Sequence, residues 1–199
     1  MTGRLLMCVL VALAACAAGG CQLHPHVVEA SADLPPTAPS PALPYRVSEM
    51  RVQTVPAMTY LYSSTRTNFD ELAEPASLAI STLKQLSVSG RVQSLGSILF
   101  IYHDPSEDPA EYFDVEMGLP VPEKTSPPAG FSLRMLPAFH CARMIYHGPL
   151  ALLPHAYDKL IRLMIAANLV PSEETRENYL VWEDAESLNN VIRIEVGIR

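Results

Sequence analysis

Basic residues are scarce in this chain of 199 residues: 14 Lys and Arg stand against 21 Asp and Glu, for a net charge of −7. The first 44 residues hold only Arg4, Glu29 and Asp33 of these, so the remainder still carries −6. A nucleic-acid footprint needs clustered cations to displace phosphate counterions, and this balance argues against a nucleic-acid partner. Cysteine is scarce too. Of the four, Cys8, Cys16 and Cys21 lie near the N-terminus and Cys141 is alone in the body, so no disulfide is expected within the folded part. Cys141 sits in an apolar stretch, which predicts a buried, unreactive thiol. Catalytic signatures are also missing. No G-x-S-x-G elbow, H-E-x-x-H helix, phosphate loop or paired zinc motif occurs, so nothing in the residues demands an enzyme, a metal or another cofactor. The apolar run that starts at Leu5 is too short to span a bilayer.

What is present begins with that run. Residues 1–21, "MTGRLLMCVLVALAACAAGGC", place one basic residue, Arg4, before apolar and then small residues, the order of an export signal. Its end resembles a bacterial lipobox: Leu13, Ala14 and Ala15 precede Cys16, which in such signals is acylated. Cys21 after "AGG" is the alternative, with Ala18 where a larger aliphatic is usual, and simple secretion after "ACA" at Ala15 to Ala17 is another reading. Residues 22–44 are rich in Pro, Ala and Ser and read as a solvated tether. His24 and His26 within it read as a chance pair rather than a metal site. The expectation is a lipid-anchored protein of the bacterial cell envelope, facing the periplasm and touching membrane only through its N-terminal lipid.

With 49% hydrophobic residues overall, residues 45–199 are ample for one core. "RVSEMRVQTV" and "PAMTYLYSST" read as extended segments parted near Pro56. After Asn68, a candidate cap, Phe69, Leu72, Ala76, Ile80, Leu83 and Leu86 recur at helical spacing, with Pro75 either kinking the helix or starting its main part, and Gly90 ending it. "SILFIYHD" and "YFDVEMGLPV" read as strands. The order then recurs: "FSLRM" and "PAFHCARMIYHG" extended, a helix opened by Pro149 with Leu153, Tyr157, Leu160, Ile161 and Met164 as its stripe, then "ENYLVWED" and "NVIRIEVGIR".

The recurrence can be measured. "VEMGL" at Val115 returns as "IEVGI" at Ile194, 79 residues on; Pro56-Ala57 returns as Pro137-Ala138 after 81; Pro75 returns as Pro154 after 79. Two pseudo-repeats, about 45–125 and 126–199, therefore predict an α+β fold. Duplicated strand-helix-strand-strand units form one curved antiparallel sheet, with two main helices on one face and a ligand groove on the other. Val115, Met117, Leu119, Ile194, Val196 and Ile198 are expected under the helices. Asp114, Glu116, Gly118, Arg193, Glu195 and Gly197 are expected around the groove.

"IYHDP" at Ile101, "FDVEMGLPV" at Phe113, "LPA" at Leu136, "HGPL" at His147 and "RENYLVW" at Arg176, in this order, make residues 45–199 resemble the GyrI-like small-molecule-binding family. That family shares its fold with effector-binding domains of AraC-type and MerR-type regulators and with haem-binding SOUL proteins. The resemblance implies a groove for lipophilic, often cationic or polyaromatic compounds, with Glu177 of the R-E-x-Y strand facing it and Tyr179 on the same face. Gly197 stands where proline is often found, Leu150 where an aromatic often follows "GP", and Arg193 adds positive charge to a groove that is commonly acidic.

The expected ligand-binding set is Glu177, Tyr179, Glu195, Glu116, Arg193, Tyr60, Tyr102 and Trp182, with Tyr62 a further candidate wall. The expected function is an envelope-tethered binding protein that sequesters or senses such a small molecule. Two alternatives stand beside it: a hydrolase of a strained cyclic xenobiotic using a groove glutamate, and a SOUL-like haem binder with His103, His140 or His147 as ligand. Regulator and gyrase-inhibitor roles fit poorly with a signal and tether ahead of the domain.

Overall fold

The computed structural model describes residues 44–105 and 108–199. The expected export signal, the expected tether as far as residue 43 and both candidate lipid sites, Cys16 and Cys21, lie outside the described residues. In chain order the elements are β1 (Arg46–Val47), β2 (Arg51–Val55), β3 (Met58–Thr67), α1 (Ala73–Val88), β4 (Ile98–His103), β5 (Phe113–Pro120), β6 (Ser132–Leu136), β7 (Phe139–His147), a 3-10 turn (Leu150–Leu152), α2 (Leu153–Ala166), β8 (Pro171–Val181) and β9 (Val191–Ile198). The strands form one open antiparallel sheet of nine, ordered β1-β7-β9-β8-β4-β5-β3-β6, with β2 also on β7. Outward from the central β4–β8 pair, β9 mirrors β5 and β7 mirrors β3. This is the expected duplication, seen as a pseudo-twofold axis between β4 and β8.

Both helices cover one face, as expected from alternation along the strands. Ile80, Leu83 and Leu86 of α1 and Leu153, Leu160, Ile161 and Met164 of α2 share one apolar core with Phe100, Val115, Met117, Ile194 and Val196. Leu83 and Leu160 are fully buried, and a side chain of that size contributes about 1.5–3 kcal/mol on leaving water.

The helix ends differ from expectation in one respect. Asn68 does not cap α1: its Oδ1 accepts the Glu71 amide at 2.9 Å, closing the turn before the helix, and Leu72 occupies the cap position. Pro75 falls in the first turn of α1, where its missing N–H costs nothing, and so it starts the helix rather than kinking it. Beyond the C-terminus Gly90 adopts φ 70°, the left-handed turn that favours glycine.

The leading strands do not stay with their own halves. β2 pairs with β7 and β6 pairs with β3, with Val55 facing Phe139 and Met58 facing Leu136. Three residues forward on one arm match three back on the other. A single register therefore runs through β2–β3 and β6–β7, and the two Pro-Ala steps face each other where the arms bend. The repeated glycines have a related cause. A Cβ on Gly118 would strike the Leu61 carbonyl and the Tyr60 ring, and one on Gly197 would strike Ser172 Oγ and the Phe139 ring.

Candidate functional site

Strand register decides which side chains meet. Glu177 lies opposite Phe100 on β4 and Ile194 on β9, so it faces the helices together with the main core. The expectation gathered these residues around one groove, but they fall on two faces: Glu177, Tyr179 and Tyr102 are on the helix side of the sheet, and Glu116, Glu195, Arg193 and Tyr60 are on the other. The physical reason is the two-residue period of a strand, which fixes the face of Glu177 once β8 pairs with β9.

Beneath the helices, Glu177 is 6% exposed and accepts three phenol hydroxyls. Tyr102 and Tyr179 donate to its Oε2 at 2.8 and 2.7 Å, and Tyr157 donates to Oε1 at 2.8 Å. Burial pushes the carboxyl above the ordinary value of 4.5, and the three hydroxyl bonds act against that rise. Burial followed by the charge of Glu177 holds Tyr102 and Tyr179 well above the usual phenol range, so both remain donors. No basic side chain balances Glu177 among the described residues.

The walls of this site are aromatic. Phe100 and Tyr179 are 4.8 Å apart, Tyr179 and Trp182 meet edge to face at 5.4 Å, and Phe69 and Phe113 close the Tyr102 side. Trp182 is half-buried, and its carbonyl accepts Lys84 Nζ at 3.1 Å, tying the end of β8 to α1. Tyr157 was assigned above only to the apolar stripe of α2. Its hydroxyl was the overlooked signal, because a phenol in a buried stripe requires a partner.

On the opposite face Tyr60 is fully buried and donates to the Leu99 and Glu116 carbonyls at 2.7 and 3.2 Å, a structural role that ties β3 across the sheet. Tyr62 stacks on it at 5.5 Å with Arg134 over its outer side. Glu116 pairs with Arg134 at 2.7 Å, and His103 Nε2 lies 3.3 Å from its other oxygen without a hydrogen bond. Glu195 pairs with Arg193 at 3.0 Å and accepts from Asn178 at 3.2 Å. Arg193 is thus spent on Glu195 and has the sheet between it and Glu177. Cys141 is buried and its thiol is pushed up to about 12, which leaves it protonated and unreactive.

The three candidate haem ligands, all among the described residues, do not converge. His103 sits by Glu116, His140 Nδ1 lies 3.2 Å from Thr54 Oγ1, and His147 borders a shallow cavity with Tyr45 and Leu188. Among the described residues no cluster of three His, Cys, Asp or Glu is placed to hold a metal ion.

Known structures share this fold. The C-terminal domain of EcmrR is similar at TM-score 0.59 and 20% identity, covering 78% of this chain and 98% of that one. EcmrR in a complex with DNA matches at TM-score 0.61 and 17% identity over 79% of this chain, which spans 58% of that protein. SAV2435 bound to tetraphenylphosphonium matches at TM-score 0.55 and 14% identity, covering 76% of this chain and 94% of that one. Comparison with curated proteins returns no significant match. Residues 48–199 match the family described as the GyrI-like small molecule binding domain, and the chain belongs to that family.

Proposed function

We propose that the domain binds a lipophilic cation beneath its helices, with Glu177 as the counter-charge, and that a lipid on Cys16 tethers it to the cell envelope. The observation that carries the binding reading is a buried carboxylate that accepts three phenols, with no basic side chain among the described residues to neutralise it. Such a group attracts a delocalised cation strongly once water is excluded, and the faces of Tyr102, Tyr179, Phe100 and Trp182 supply apolar area and cation–π attraction. The tetraphenylphosphonium bound by SAV2435 is a ligand of that chemistry. Tyr157, the phenol that α2 contributes, covers Glu177 from the helix side, and in this reading the ligand enters by displacing it.

Titration of the protein with tetraphenylphosphonium tests this. Saturable binding is expected, and Glu177→Gln, which keeps shape and removes charge, should weaken it by roughly 1–3 kcal/mol. A neutral compound of similar shape should respond far less. Equal affinity in wild type and variant would overturn the role of Glu177.

The tether reading rests on the apolar run and "LAAC". Labelling with a fatty-acid probe should be lost in Cys16→Ala. Persistent labelling would move the lipid to Cys21, and absence of label in the wild type would refute anchoring.

A further inference from the structure

The face of the sheet turned away from Glu177 has a charge imbalance that the duplication makes visible. In the first half, Ser64 faces Glu116 across β3–β5; in the second, Arg143 faces Glu195 across β7–β9. Asp114 on β5 likewise corresponds, 79 residues on, to Arg193 on β9. The two halves keep the glutamate, and the second adds two guanidinium groups around it. The arm strand adds a third, because Arg51 on β2 lies directly opposite Arg143. Like charges directly opposite in a sheet, with Cβ atoms about 4.5–5.5 Å apart, oppose the pairing.

Glu195 faces Arg143 across the strands and feels its charge, but its Oε1 lies 3.0 Å from Arg193 Nε without a hydrogen bond and its Oε2 takes Asn178. Arg176, buried under the Phe139 ring, uses Glu174 at 2.6 Å. Among the described residues no carboxylate oxygen comes within 4.0 Å of Arg51 or Arg143. Between them opens a cavity of about 300 Å³, lined by Ser48, Glu49, Arg51, Arg143 and Ile145. The Ser48 hydroxyl is occupied, donating to the Glu49 carbonyl and accepting the Ile145 amide, both at 2.9 Å. The recognition groups left in the cavity are thus the two arginines, with Glu49 as their competitor.

We propose that this cavity is an anion site in which Arg51 and Arg143 together grip a phosphate monoester. A dianion matches two guanidinium charges, and its three terminal oxygens can accept a forked pair of hydrogen bonds from one arginine while bridging to the other. The volume accommodates one phosphate group with part of its ester, and Ile145 offers an apolar wall to that ester. The site is separate from the Glu177 cage and opposite to it in charge, so one sheet presents a cation site on one face and an anion site on the other.

The full chain, titrated calorimetrically with inorganic phosphate and with glycerol 3-phosphate at constant ionic strength, should bind both saturably. Arg51→Gln and Arg143→Gln should each weaken binding roughly tenfold or more, in the range of a lost charge-assisted contact. Glu49→Gln, which removes the competing carboxylate, should tighten it. A second arm sediments the chain with phosphatidylcholine vesicles that contain or lack phosphatidic acid. The double variant Arg51→Gln/Arg143→Gln shares every N-terminal feature, so a loss of the phosphatidic acid increment in it assigns the site to a lipid headgroup. Binding of the soluble esters without that increment assigns it to a free metabolite. Absence of saturable binding in both arms, binding unchanged in the double variant, or weaker binding in Glu49→Gln would each overturn the proposal.

Discussion

Glu177 is pulled in two directions, and its titration reports the balance. Burial raises its proton affinity above the ordinary 4.5 and the three phenol bonds lower it, with burial prevailing. The native state then holds the proton to higher pH than the unfolded chain does. The stability this group contributes is complete below about pH 4.5 and is lost as pH rises through the native value. Glu195 shifts in the same direction, by burial against three arginine charges, but it is present in both proteins of the following comparison and cancels. Urea unfolding of wild type and Glu177→Gln between about pH 4 and about pH 8 should show wild type losing stability relative to the variant as pH rises. A constant difference across that range would mean that Glu177 titrates alike folded and unfolded.

Among the elements, α2 is the one that closes the carboxylate site. Tyr102 and Tyr179 stand on the sheet, whereas Tyr157 reaches Glu177 from the helix. Tyr157→Phe should therefore destabilise the closed form while leaving the ligand's sheet-side walls intact. Affinity for tetraphenylphosphonium should rise roughly tenfold, the opposite sign to Glu177→Gln, because one charge-assisted bond no longer has to be broken on entry. Weaker binding in Tyr157→Phe would place that hydroxyl on the ligand instead. The elements themselves were legible in the sequence, since apolar spacing marked both helices and the 79-residue echo paired β5 with β9. The face of Glu177 was not. Thr175, Arg176, Glu177, Asn178 and Tyr179 are all buried, so β8 shows no alternation of inside and outside. Its phase depends on long-range pairing with β9, and a shift between Pro171 and Thr175 breaks even that register. Arg193, expected around the same groove as Glu177, lies on the other face because it pairs with Asn178, the neighbour of Glu177 on β8.

At the scale of the whole molecule, the duplication is not two domains side by side. Each half gives its leading arm to the other, β2 to β7 and β6 to β3, and the halves also share the central β4–β8 ladder. Repeats at a fixed spacing reveal duplicated units but are silent on exchange, because a swapped arm and an unswapped arm have the same local pattern. Exchange has an energetic consequence. Residues 45–125 alone would leave β4 without β8, β3 without β6 and β2 without any partner, exposing strand edges. That fragment is expected to be unfolded as a monomer, with amide resonances collapsed into the random-coil range. Mixing it with residues 126–199 should restore dispersion at one-to-one stoichiometry, because the exchanged arms and the central ladder are then all satisfied. A fragment that folds alone as a monomer would show instead that each arm can pair within its own half, and the crossed arms would then be a consequence of linkage rather than the source of the fold's stability.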